Sequence, residues 1–154
     1  MGVYQTDRGL ATSRRLPTFP AMKIIDVPTR SRQQLVTVTR QVQAALDEMD
    51  FNEGALMVHS PHTTCGVTIN EGADPDVARD ISGFLAELVP HEYRDFRHME
   101  GNSDAHVLTT LVGSSVLVPV EDGRLCLGTW QTLYLAEFDG PRTRRLWLTA
   151  LASR

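Results

Sequence analysis

The sequence predicts an α+β domain, a mostly antiparallel sheet or sandwich with a few helices on one side. Three observations predict it. Short β-branched and aliphatic runs recur along the chain, bounded by Gly, Pro, Asn and Asp. Between them lie stretches whose apolar residues repeat at helical spacing. Late in the chain, Glu121-Asp122-Gly123 joins two runs as the turn of a hairpin does.

The elements follow in order. Met1 to Ala21 is polar and contains prolines, so it reads as an extension, mobile or laid over a neighbouring subunit. The folded domain is expected over 22–154. Lys23 to Val27 is a strand through Ile24, Ile25 and Val27, and Leu35, Val36 and Val38 make a second. Thr39 is placed to cap a helix whose apolar face is Val42, Ala45, Leu46 and Met49. Ala55 to Val58 and Gly66 to Asn70 are strands on either side of a polar loop. Asp74 caps the next helix, with Pro75 at its first position, where a missing N–H costs nothing. Val77, Ile81, Phe84, Leu85 and Leu88 form one stripe along it, and Pro90 ends it. Ser103 to Val112 is a further helix, with Leu108, Leu111 and Val112 on one face. Ser115 to Val120, Leu125 to Phe138 and Arg145 to Leu151 are strands.

Composition excludes several classes of function. The chain has 154 residues, the size of one domain. Hydrophobic content of 42% and charged content of 22% exclude disorder for most of it. A net charge of −4 with no basic stripe argues against nucleic acid as a partner. Arg142, Arg144 and Arg145 read as rim charges on a strand. No apolar run reaches the ~18 residues of a membrane span, and no apolar segment follows Arg14-Arg15 as a secretory signal requires. Cys65 and Cys126 do not make a disulfide scaffold, and a cytoplasmic setting is expected.

Polar residues gather at three places. The first is PHTTCGVTINEGADPD, Pro61 to Asp76. Turn chemistry and helix capping explain Asp74 and Asp76. They do not explain His62, Thr63, Thr64 and Glu71 together. Cys65 could serve as a nucleophile beside His62, but a small buried residue opening a strand explains it as well.

The second is HMEGNSDAH, His98 to His106. On a helical wheel His106 lies about 200° from Leu108, so it faces away from the leucines of its own helix. A loop through Gly101 can fold His98 back towards it. With His62 they suggest a shared metal ion, although the spacing matches no known zinc motif. The amides of Asn102, Ser103 and Asp104 open a helix and would suit an anion.

The third is GTWQ, Gly128 to Gln131, followed by EFDGPR, Glu137 to Arg142. Trp130 can stack on a ring and Gln131 can hydrogen-bond one. Arg142 can pair with a phosphate or with an acid. No P-loop, Rossmann fingerprint, GxSxG elbow or CxxC pair is present.

In this order and spacing, HTTCGVTINEGADPDV, EGNSDAH, LGTWQ and EFDGPR resemble the YjbQ-type, or UPF0047, family. The resemblance runs from about residue 22 to the C-terminus. The residue after HTT is commonly alanine in the family, which argues further against Cys65 as a nucleophile. The resemblance implies a compact α+β fold, a homotrimer and a secondary thiamine-phosphate synthase activity. That reaction joins a pyrimidine diphosphate to a thiazole phosphate and releases pyrophosphate. Carried onto this chain, the metal-binding histidines are His62, His98 and His106, holding a divalent ion such as zinc or magnesium. Phosphate would be held by Thr63, Thr64, Asn102, Ser103 and Arg142, with Trp130 and Gln131 against a ring. Glu71 is the expected acid/base, with His62 as the other catalytic group, and a trimer could divide the site between subunits. A metal-dependent hydrolase and a non-catalytic binding protein are the alternatives.

Overall fold

A computed structural model describes residues 22–152. The expectation for residues 1–21 lies outside the described residues. Eight strands and three helices follow in the order β1 (Met22–Pro28), β2 (Gln34–Thr37), α1 (Thr39–Met49), β3 (Gly54–His59), β4 (Cys65–Glu71), α2 (Pro75–Leu88), α3 (Ser103–Val112), β5 (Ser115–Glu121), β6 (Arg124–Leu125), β7 (Gln131–Glu137) and β8 (Thr143–Ala152). One sheet runs β1-β8-β3-β5-β6 and the other β2-β7-β4. Every pairing among them is antiparallel, as the fold class predicts.

Alternation along the strands builds the layers. In β7, Leu133 and Leu135 enter the core shared by the two sheets. Ala136, and Phe138 just beyond the strand, instead pack with Ala105 and Leu108 of α3. In β8, Leu146, Leu148 and Ala150 are core, while Trp147 and Leu151 are exposed. Each fully buried leucine contributes on the order of 1.5–3 kcal/mol. The same parity carries Glu137 of β7 and Arg144 of β8 into the layer between the sheets, and both are buried.

Local chemistry explains most of the boundaries. Asp74 Oδ1 accepts from the Asp76 amide at 2.9 Å, with Pro75 at the first position of α2. The hairpin between β5 and β6 turns through Asp122 at φ 50° and Gly123 at φ 73°, the left-handed pair that such a turn needs. Gly66 is required by close approach, because a Cβ there would fall 2.7 Å from the Gly113 carbonyl oxygen.

Four expectations are corrected. Thr39 does not cap α1; Val38 is at that position, and Thr39 Oγ1 accepts from the Leu133 amide at 2.8 Å. The stripe on α2 is only partly covered: Leu85 packs against the cluster around Leu108, but no α2 residue is fully buried and Phe84 and Leu88 are 65% and 56% exposed. Periodicity shows that a helix has an apolar face, not what covers it. In α3, Leu108 is buried but Leu111 is 58% exposed, and the buried set includes Asp104, Ala105 and Thr109. Arg32 and Gln33, which precede β2, donate to Asp104 on the buried side of α3. Finally, the run from Leu125 to Phe138 is two strands, β6 and β7, parted at Gly128, whose amide donates to Gln131 Oε1.

Candidate functional site

The first and second polar segments meet the end of the third at one edge of the sandwich. A cleft of about 510 Å³ lies there, lined by the loop Pro61 to Thr64, by Glu100, Asn102 and His106, and by Asp139, Arg142 and Arg144. Beneath it Arg144 donates to Glu137, through Nε to Oε2 at 2.7 Å and through Nη2 to Oε1. The same Nη2 donates to Thr64 Oγ1 at 2.9 Å. Thr29 Oγ1 donates to Glu137 Oε2 at 3.0 Å. Burial alone would raise the Glu137 carboxyl pKa, but the bonds and charge of Arg144 override it and hold it below the usual value. Because the pair joins β7 to β8, it ties the two sheets together under the cleft.

Asp139 is held from two sides. Asn102 Nδ2 donates to its Oδ2 at 3.0 Å and Arg142 Nη2 to the same oxygen at 2.9 Å. Gly140 allows this corner to close, since a Cβ there would meet the Ser31 carbonyl oxygen at 2.5 Å. No side chain caps α3, so its first amides are not taken up by a capping group.

His62 is fixed by the neighbouring strand. Its Nε2 accepts from the Arg145 amide at 2.9 Å. The neutral ring then carries its proton on Nδ1. Burial, followed by the Arg144 charge, lowers its pKa below 6.5. His62 is therefore a neutral ring with one N–H to give. His106 also lines the cleft. Its ring meets that of His98 edge-on, with centroids 5.3 Å apart, so the loop folds back as its length allows. His98 Nε2 lies 3.7 Å from Glu100 Oε2.

The three histidines do not form a metal set within one chain. Among the described residues no three His, Cys, Asp or Glu side chains are placed to share an ion. His98 and His106 meet, but His62 has its Nε2 lone pair committed to the Arg145 amide. A zinc or magnesium ion held by all three does not fit this arrangement.

The remaining site residues divide. Thr63, Thr64, Asn102 and Arg142 line the cleft, and Ser103 stands beside it at the start of α3 without lining it. Glu71, Trp130 and Gln131 lie elsewhere. Glu71 pairs with Gln131 in the β4–β7 register, six positions along β4 from Cys65, which is about 20 Å of strand. Trp130 is 64% exposed and stacks on nothing in the described chain. Gln131 Oε1 is occupied by the Gly128 amide at 2.8 Å. Cys65 is buried, and burial pushes its thiol up to about 11, so it is not a nucleophile.

Sequence reading missed Arg144, Glu137 and Asp139. Arg144 read as a rim charge, yet it is buried. The available signal was parity, because Arg144, Leu146, Leu148 and Ala150 share one face of β8. The other parity, Arg145, Trp147, Thr149 and Leu151, is nearly as apolar and hides that signal.

Known proteins agree with this architecture. The model of the family described as UPF0047 protein YjbQ-like matches residues 23–153. The UPF0047 protein YugU of Bacillus subtilis is 47% identical over 127 residues, 82% of this chain and 96% of that protein. The UPF0047 protein MJ1081 of Methanocaldococcus jannaschii is 43% identical over 83% of this chain and 92% of its own length. The crystal structure of the conserved protein TT1486 from Thermus thermophilus superposes with a TM-score of 0.79 at 48% identity, covering 84% of this chain and 99% of that one. On the family match, the shared motifs and the shared fold, the chain belongs to the YjbQ-like UPF0047 family.

Proposed function

We propose that the cleft binds the phosphate groups of small phosphorylated metabolites and supports group transfer there, with thiamine-phosphate synthesis as the named case. The observation that carries this reading is the state of Arg144. Its Nε and Nη2 are engaged by Glu137 and Thr64, while no hydrogen bond from Nη1 is made among the described residues. A buried guanidinium that lines a cleft and keeps donors unspent is suited to a phosphate oxygen. Thr63 and Arg142 add donors around it. His62, neutral with its proton on Nδ1, can donate to a departing pyrophosphate oxygen.

The chain's own groups carry each of these steps, and none is routed through a metal ion. Glu71 and Trp130 enter the reading only as residues that a neighbouring copy supplies. The homotrimer implied by the family resemblance offers such neighbours, and the uncovered stripe of Phe84 and Leu88 on α2 supports an assembly. Among the described residues no helix is long and apolar enough to cross a membrane. The free thiols of Cys65 and Cys126 support a cytoplasmic setting.

The test uses the full chain with both substrates, with and without zinc or magnesium, and measures thiamine phosphate formed and pyrophosphate bound. Product whose yield falls at least about tenfold in Arg142→Gln supports the reading. If the chain binds neither inorganic phosphate nor pyrophosphate, the reading is overturned. Pyrophosphate binding with no product under any metal condition leaves a binding protein rather than an enzyme.

A further inference from the structure

Asn102 occupies the N-cap position of α3 and lines the cleft. It is 9% exposed. Its Nδ2 donates to Asp139 Oδ2, which Arg142 also holds. An ionised carboxylate only accepts hydrogen bonds, so Asp139 dictates which way the amide turns. The nitrogen must face Asp139 and the oxygen must face away. That oxygen, Asn102 Oδ1, is buried and has no partner. It does not cap α3 either. Buried acceptors are nearly always paired, and one left unpaired on a residue that lines a cleft calls for a donor from outside the chain.

We propose, resting on the phosphate reading above, that Asn102 Oδ1 accepts a hydrogen bond from the bound ligand and so selects an oxyanion that brings its own O–H or N–H donor. The other cleft groups hold anionic oxygens without regard to such a donor, because Arg142, Arg144, Thr63 and the His62 Nδ1–H all donate. Asn102 is the group that discriminates. An oxyanion with no donor leaves Oδ1 unpaired and sets a second negative oxygen near it. The donor can be a hydroxyl on the phosphorus itself or a hydroxyl or amino group next to a phosphate ester.

Titration calorimetry on the full chain at pH 8 separates these sources. Inorganic phosphate keeps a P–OH there, whereas sulfate has the same shape and charge and no proton. 2-Hydroxyethyl phosphate and ethyl phosphate differ only in an organic hydroxyl. The expected result is a preference of at least about tenfold within one of these pairs, the pair naming the source of the donor. Asn102→Ala should reduce that preference to within about twofold. Should Asn102→Ala fail to fold, Asp139→Asn serves instead. It releases the amide to turn its nitrogen inward, and the preference should disappear or reverse. Equal binding within both pairs by the unaltered chain overturns the proposal while leaving the phosphate reading intact. A preference that survives in a folded variant overturns it too. If none of the four anions binds, the phosphate reading falls with it.

Discussion

Arg144 on β8 and Glu137 on β7 form a buried ion pair that joins the two sheets beneath the cleft, with Nε of the arginine 2.7 Å from Oε2 of the carboxylate. Its partners come from two further places, Thr29 after β1 and Thr64 after β3. Four segments therefore depend on one charge pair for their relative positions.

Breaking that pair should be costly. Glu137→Ala leaves a guanidinium buried without its counter-ion, and a loss of about 3–5 kcal/mol is expected in urea unfolding. The double variant Glu137→Leu with Arg144→Met should recover most of the stability, since an apolar pair of similar size needs no desolvation. It should not recover phosphate binding. A double variant as unstable as the single one would show that the pair is not what the single variant loses.

Acid should weaken the fold through the same residue. The Glu137 pKa is lowered in the folded chain, so its contribution is present above the unfolded carboxyl pKa and is lost as pH falls through the folded one. Melting temperature should hold at neutral pH and fall below about pH 4.5. Glu137→Leu with Arg144→Met should flatten that decline.

His62 should titrate below its usual 6.5. The sign is that of a histidine held neutral. Its stabilising contribution is complete above the unfolded value and is lost as pH falls from there through the lowered folded value. Two-dimensional NMR of the ring should place its midpoint below 6.5. Arg142→Gln should move that midpoint upward, because the Arg142 charge is one of the causes of the lowering. A midpoint at or above 6.5 in the unaltered chain would contradict the burial of His62 beside the Arg144 charge.

The two thiols should differ in reactivity. Cys126 is exposed and Cys65 is buried, with its thiol pushed up to about 11. A thiol reagent at pH 8 should label one cysteine of the native chain rapidly and both after unfolding. Rapid labelling of Cys65 in the native chain would count against its burial in the core.

The α2 stripe gives a test of assembly. Phe84→Glu and Leu88→Glu each put a charge on a surface that is more than half exposed within one chain. If copies associate through it, light scattering should report a smaller mass for each variant with the fold retained. An unchanged oligomeric mass in both would place the interface elsewhere.

The sequence by itself determined the order and nearly all of the elements. Strand alternation, the Asp74-Pro75 helix start and the Asp122-Gly123 turn are local chemistry, and local chemistry is written in neighbouring residues. It also determined that His106 turns from the leucines of its helix and that the HTT loop and the HMEGNSDAH loop carry polar groups with no local purpose. Only tertiary structure decided which of those groups meet. Glu71 and His62 are nine positions apart in sequence, yet β4 carries them to opposite ends of a sheet. Thr64 and Arg144 are 80 positions apart and share a hydrogen bond. The burial of Arg144 depends on Glu137 arriving opposite it from another sheet, because a charge stays inside only when its partner is brought there by strands that neither residue encodes.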